Sequence, residues 1–130
     1  MQRPGEFTYR VRIEARFEAA HNLRAYRGAA EPLHGHSWVV EAELEAERLD
    51  EDGIAADFVS ASKTLRELAG QLDTTYLNET SPFDRINPTA ENIARWFFEQ
   101  LESRLHEDNA HLVEVVVHEG PKGKAVCRRR

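Results

Sequence analysis

The sequence predicts an α+β domain: a four-stranded antiparallel sheet with two helices on one face. Two long stretches alternate apolar and polar residues, two later stretches repeat apolar residues at spacings of three and four, and a valine-rich stretch follows them. Strand, strand, helix, helix, strand, strand in chain order is the pattern of such a layer.

The first strand covers residues 7 to 18. Phe7, Tyr9, Val11, Ile13, Ala15 and Phe17 face one way, and the intervening residues are polar or charged. Its apolar parity runs on through Ala19 to His21. Residues 36 to 47 repeat the pattern, with Trp38, Val40, Ala42, Leu44 and Ala46 opposed by Glu41, Glu43, Glu45 and Glu47. Antiparallel pairing sets the arginines of the first strand against the glutamates of the second, which favours the pair. Asn22 to Leu33 reads as a loop and Asp50 to Gly53 as a turn. Asp57 to Leu72 reads as a helix with a stripe of Ala61, Leu65, Leu68, Ala69 and Leu72. A loop from Asp73 to Ile86 leads to a second helix, with Asn87 as N-cap and Pro88 at its first position. Ile93, Trp96, Phe97, Leu101 and Leu105 form its buried stripe. Residues 112 to 119 form the third strand, with Val113, Val115 and Val117 in the parity of Glu119. Residues 124 to 128 form the fourth, after the turn Gly120-Pro121-Lys122-Gly123.

A chain of 130 residues, 41% apolar and 31% charged, suits one domain spanning 1–130. The net charge of −6 argues against a nucleic-acid partner, and the basic run Arg128 to Arg130 is short enough to be a solvated end. Cys127 is the lone cysteine, so no internal disulfide forms, which fits a reducing cytosol. No apolar run reaches bilayer length, and the N-terminus carries no signal-peptide segment. The expectation is a soluble cytoplasmic protein with no membrane partner.

His21, His34 and His36 are the candidate metal ligands. In Leu33-His34-Gly35-His36-Ser37 the histidines lie two apart, so on a strand they point the same way. Gly35 leaves the space between them open. His21 and His36 share the parity of the covered faces. Three protein ligands leave one tetrahedral position free, the pattern of a catalytic zinc; the plainer alternative is surface histidines. His106 and His111 read as surface residues and His118 as structural. Glu119 ends an apolar strand face, where a carboxylate must be paired or bound. A flat heterocycle offering two N–H donors is one suitable partner, and solvent at the strand end is the other reading. Thr89 and Glu91 stand in the first turn of the second helix, where capping and dipole complementation already account for them. Asp73 follows the first helix as a cap or turn residue.

Taken together, Phe17-Glu18-Ala19-Ala20-His21, Leu33-His34-Gly35-His36-Ser37, Asp57-Phe58, Leu72-Asp73 with Leu77-Asn78, Pro88-Thr89-Ala90-Glu91-Asn92 and Val117-His118-Glu119 resemble the 6-pyruvoyl-tetrahydropterin and 6-carboxytetrahydropterin synthase family over nearly the whole chain. The resemblance implies the tunnelling fold, whose sheets close a barrel in trimers, with two trimers making a homohexamer and active sites between subunits. It implies zinc on His21, His34 and His36, substrate contacts from Thr89 and Glu91, and a pterin ring anchored by Glu119.

Two positions depart from that pattern. Family members usually carry a catalytic cysteine where this chain has Ala30, and a histidine where it has Thr74. Neither replacement exchanges protons near neutral pH. Asp73 survives from the usual set, and Glu31, three residues before His34, is the nearest new acid/base. Some family members resemble this chain in using a glutamate near the missing cysteine, and cleave the dihydroneopterin side chain to a hydroxymethylpterin. A loop glutamate with no chemical role is the competing reading of Glu31. The function expected is a zinc-dependent lyase acting on dihydroneopterin triphosphate or a related reduced pterin, with Glu31 favoured and Asp73 second as acid/base. The alternative is a zinc-containing pterin- or purine-binding homologue without the synthase activity.

Overall fold

A computed structural model of the chain describes residues 5–24 and 27–130. Strands β1 (Tyr9–His21) and β2 (His34–Ala46) run antiparallel in unbroken register, from Tyr9 opposite Ala46 to His21 opposite His34. Helix α1 (Phe58–Leu72) follows, then a two-residue strand β3 (Thr75–Tyr76) and a short 3₁₀ turn (Leu77–Glu79). Helix α2 (Ala90–Arg104), strand β4 (Ala110–Glu119) and strand β5 (Gly123–Cys127) complete the order. The sheet order is β3-β1-β2-β4-β5.

The alternation in the sequence becomes a two-sided sheet. Ile13, Ala15, Phe17, Trp38, Val40, Ala42, Leu44, Val115 and Val117 are buried on the inner face. They meet the stripe of α1, which is the stripe read from the sequence, together with Ile93, Ala94, Phe97, Phe98 and Leu101 of α2. Helix α1 lies mainly over β1, and α2 over β4 and β5. Leu65 and Leu68 are sealed from solvent, and each stabilises the fold by about 1.5–3 kcal/mol. Asp57 caps α1 by accepting from the amides of Val59 and Ser60.

The structure corrects the sequence reading in several places, among them the first two strands, which cover Tyr9–His21 and His34–Ala46 and leave Phe7 exposed. The sheet has five strands, because Thr75 and Tyr76 add a short parallel strand beside Ala19 and Ala20. Two residues cannot display an alternation, so no periodic signal was available. Helix α2 begins two residues later than Asn87-Pro88 suggests: Thr89 is the N-cap and accepts from the amide of Asn92 at 3.0 Å. The Asn87 side chain instead accepts from the Arg24 amide at 2.9 Å. A register shift opposite Glu43 and Leu44 brings Leu112, not Val113, opposite Leu44 and against the core; an extra residue in one strand reverses its parity. Finally, β4 begins at Ala110, and β5 covers Gly123–Cys127 where 124 to 128 was expected. Residues 25 and 26 of the predicted loop lie outside the described residues.

The outer face carries the expected charge ladder. Arg12 donates to Glu43 at 2.8 Å and to Glu114 at 3.2 Å, and Arg10 donates to Glu45 at 2.8 Å and to Glu43 at 3.3 Å. His118, on this face, lies 2.8 Å from Glu41, in keeping with a structural role. No helix among the described residues is long and apolar enough to cross a membrane.

Candidate metal centre

The hairpin-like register of β1 and β2 assembles the histidines. His21 is directly opposite His34, and His36 sits two residues along the same strand face. From the next strand Glu119 stands opposite Trp38, on the side of the sheet that His36 also faces. One ligand atom from each of His21, His34, His36 and Glu119 lies within 4.8 Å of every other, a group that could hold a metal ion.

The imidazoles are oriented for that task. Nδ1 of His21 lies 2.7 Å from the carbonyl of Pro88, and Nδ1 of His34 lies 3.0 Å from the carbonyl of Pro32. A carbonyl only accepts, so each Nδ1 carries the proton and each Nε2 keeps its lone pair. The Nε2 atoms of His21 and His36 are buried with no hydrogen-bond partner. Unpartnered buried nitrogens are rare in folded proteins, and here they converge. Burial lowers the His36 pKa from 6.5; His34, His21 and Lys122 add to the effect and Glu119 opposes it. The ring is therefore held toward its neutral, ligating form. A nitrogen-rich set with one carboxylate suits zinc, so the residues fit the ion that the sequence implies.

Glu31 is brought to the same place. Its Oε1 lies 3.7 Å from Nε2 of His34 and accepts from the Leu23 amide at 3.1 Å. Its backbone is clamped as well: its amide donates to the Leu23 carbonyl at 3.0 Å, and the Asn22 side chain donates to its carbonyl at 3.1 Å. Thr89, Glu91 and Glu119 line one cleft of about 520 Å³ with Leu23, Lys122 and Lys124. That volume lies within the range of small-molecule sites. Thr89 also caps α2, so the capping role read from the sequence is present whatever else the hydroxyl does.

Asp73 does not join this group within the chain. Its Oδ1 accepts from the Glu18 amide at 2.8 Å, beside the C-terminus of α1. Thr74 follows with φ 60°, an unusual conformation for a β-branched residue, and its amide donates to the Glu18 carbonyl at 2.6 Å. It lines a separate hollow with Glu18, Gly35, His36 and Ser37.

The supporting roles of four residues, Asn22, Arg24, Tyr76 and Asn78, were not read from the sequence, although Asn78 is part of the motif set. The Tyr76 hydroxyl donates to the Asn22 side chain at 2.7 Å, and the Asn78 side chain accepts from the Asn22 backbone amide at 3.0 Å and donates to the Asn22 carbonyl at 2.8 Å. Arg24 donates to the carbonyls of Asn78, Phe83 and Ile86. These contacts fix the segments that carry Glu31 and the Pro88 carbonyl. Only the polar character of the tract after His21 hinted at them.

A family model described as 6-pyruvoyl tetrahydropterin synthase matches residues 10–130. A 6-carboxy-5,6,7,8-tetrahydropterin synthase from Synechocystis is 36% identical over 108 residues, covering 79% of this chain and 81% of the relative. A dihydroneopterin monophosphate aldolase from Pyrococcus furiosus is 33% identical over 99 residues, covering 76% and 80%. Among solved structures, a Plasmodium vivax 6-pyruvoyltetrahydropterin synthase with a catalytic glutamate replaced by alanine superposes with a TM-score of 0.81 at 20% identity, over 96% of this chain and 99% of that one.

Proposed function

The chain belongs to the 6-pyruvoyl tetrahydropterin synthase family, and on that premise we propose that it is a zinc-dependent lyase that breaks the side chain of a dihydroneopterin-type reduced pterin. The observation that carries the reading is the Glu31 carboxylate 3.7 Å from Nε2 of His34, at the edge of a histidine group able to hold one ion. His21, His34 and His36 hold the zinc, whose Lewis acidity, when it is bound, polarises the substrate's side-chain oxygens. Glu119 accepts the paired N–H donors of the pterin ring, while Thr89 and Glu91 border the same cleft.

The residues favour one bond over another. With Ala30 and Thr74 at the usual cysteine and histidine positions, the carboxylates beside the histidines are Glu119, 3.5 Å from His21, and Glu31, 3.7 Å from His34; with Glu119 assigned to the ring, Glu31 is left as the base. Forming a pyruvoyl or carboxyl side chain takes several proton removals and returns along the side chain. Cleaving the bond between its first two carbons takes one of each: Glu31 accepts the proton of the second-carbon hydroxyl, that oxygen becomes a carbonyl, the electron pair of the broken bond passes into the ring's C=N unit, and the proton held on Glu31 returns to the first carbon as the C=N is restored. A hydroxymethylpterin and a two-carbon aldehyde result. The similarity to the Pyrococcus furiosus aldolase supports this choice. The synthase-type reaction is the second reading, favoured by the identity to the Synechocystis enzyme, with Asp73 available to it only if an assembly carries Asp73 to a neighbour's site. Assembly as a hexamer of two trimers belongs to this proposal, and light scattering on the purified protein checks it.

The test is incubation of the zinc-loaded protein with dihydroneopterin triphosphate and with the monophosphate, followed by product masses. A hydroxymethylpterin that disappears in Glu31→Gln is the expected result. A carboxy- or pyruvoyl-pterin replaces the first reading by the second. Tight binding with no product at all leaves a pterin-binding protein and removes the enzyme.

A further inference from the structure

The reversal between β4 and β5 carries two of the chain's three lysines, Lys122 and Lys124. Elsewhere the chain pairs cations with carboxylates, as at Arg10, Arg12, Arg95 and Arg129. Here it does not. Among the described residues neither lysine side chain has an ion-pair or hydrogen-bond partner, although Glu91 and Glu119 border the same cleft. The turn itself is short and stiff. Glu119 pairs with Gly123, so Gly120, Pro121 and Lys122 alone make the reversal. Gly120 supplies φ 57°, and the proline ring fixes the residue after it. The turn is also docked on the site. The Gly120 amide donates to the Ser37 carbonyl at 3.2 Å, and a Cβ on Gly120 would lie 3.4 Å from Nδ1 of His36. Burial first, and the Lys122 ammonium among the neighbouring charges, lower the His36 pKa, so the field of this lysine reaches the imidazole. A lone cation beside residues that gather a divalent ion is electrostatically unfavourable, and an anion seated between the two relieves it. Lys124 stands differently. It pairs opposite His118, and strand alternation puts its side chain on the outer side of the sheet, at the rim of the cleft.

We propose that this turn is the seat of a phosphate ester carried by the substrate, that Lys122 is the residue that contacts it, and that the protein thereby selects phosphorylated pterins over free ones. The inference rests on the pterin reading above and adds to it the form of substrate taken. The order of groups along such a substrate suits the order of residues along the cleft. The ring lies at one end, the oxygens of the first two side-chain carbons meet the histidine group, and the phosphate hangs one carbon further on. Cleavage leaves that phosphate on the two-carbon aldehyde, so Lys122 holds the departing fragment and not the ring. A lysine fits this role: its compact ammonium meets a phosphate as a point charge, on a flexible stem that demands no fixed angle.

The test is equilibrium binding of two fluorescent oxidised analogues, neopterin and neopterin monophosphate, to the zinc-loaded protein. Both lysines are exposed, so their variants are expected to fold. The wild type is expected to bind the monophosphate more tightly. Lys122→Gln is expected to lower that preference, the ratio of the two Kd values, by about 10- to 100-fold, the size of a hydrogen bond to a charged group. Lys122→Arg keeps the charge and is expected to keep most of the preference. Lys124→Gln removes an equal charge from the outer side and is expected to lower the ratio by less than Lys122→Gln does. A wild-type protein that binds both analogues equally overturns the inference and leaves the pterin reading standing, and so does an unchanged ratio in Lys122→Gln. Equal losses in Lys122→Gln and Lys124→Gln mean a diffuse positive field and overturn Lys122 as the seat. A wild-type protein that binds neither analogue removes the pterin reading itself, and this inference with it.

Discussion

The same two strands carry two polar clusters, one on each face, and they are finished to different degrees. On the outer face Glu43 is 7% exposed, and its carboxylate is met by Arg10 and Arg12, which reach on to Glu45 and Glu114. On the inner face, at the far end of the ladder, His21 is 1% exposed, and its Nε2 has no hydrogen-bond partner, nor has that of His36. A buried polar group left incomplete costs about 1–3 kcal/mol. The outer cluster avoids that cost within the chain. The inner one carries it, as is expected of a group that could hold a metal ion. Polarity and burial do not tell these two clusters apart; hydrogen-bond completeness does.

The widest break in the comparison is His34→Ala. His34 is about a third exposed, and its Nδ1 lies 3.0 Å from the Pro32 carbonyl two residues away, so the fold is expected to survive while bound zinc and turnover are both lost. Metal analysis of the purified variant decides it: zinc retained at the wild-type stoichiometry means that the imidazoles are not its ligands. Next comes Glu31→Gln. Removal of a positioned general base costs about 10²- to 10⁴-fold in rate, and zinc content is expected to stay unchanged because no ligand is touched. Turnover at the wild-type rate would falsify the assignment of Glu31.

What the sequence disclosed, and what it withheld, follows the same division. Strand faces and the stripe of α1 were legible because burial imposes a period, and the parity of His36 with Trp38 was legible for that reason. That His21 lies opposite His34 was not, since strand register is a pairing between distant segments. The start of α2 was misplaced because Asn87 and Pro88 serve partners far along the chain: Asn87 caps the Arg24 amide, and the Pro88 carbonyl fixes the His21 tautomer. The carboxylate of Glu119 was recognised as needing a partner, but its approach to two imidazoles depends on the Trp38 pairing and on Gly120. Val113 was placed inward because a bulge leaves no mark in a run of valines.

A smaller effect is expected on the outer face. Glu43→Ala strips the shared acceptor from Arg10 and Arg12, whose side chains are half exposed and regain water. Hydrogen bonds to charged groups are worth about 1.5–3 kcal/mol each at most sites, and with both donors partly solvated we expect a total loss near the lower figure. Chemical denaturation measures it, with zinc content and turnover per folded molecule unchanged. Wild-type stability in this variant would mean that the outer ladder contributes nothing, and completeness would then mark no structural role.

The smallest expected effect is a slope in pH that His36 of the incomplete cluster contributes. Burial, with help from the neighbouring imidazoles and Lys122 and against Glu119, lowers the His36 pKa in the folded chain from 6.5. Between the folded value and 6.5 the unfolded chain binds more protons at this residue, so stability rises with pH there. The metal-free protein is thus expected to lose stability as pH falls below 6.5, by no more than about 1.4 kcal/mol per pH unit from this one group. In His36→Gln that contribution disappears, and denaturation of the two metal-free proteins at several pH values isolates it from every other titration. Zinc adds to the slope in the wild type, because protons compete with the ion for the same nitrogens. Parallel curves for wild type and variant would mean that the His36 ring is no more costly to charge in the folded state than in the unfolded one, and the inner cluster would lose its claim to be the unfinished member of the pair.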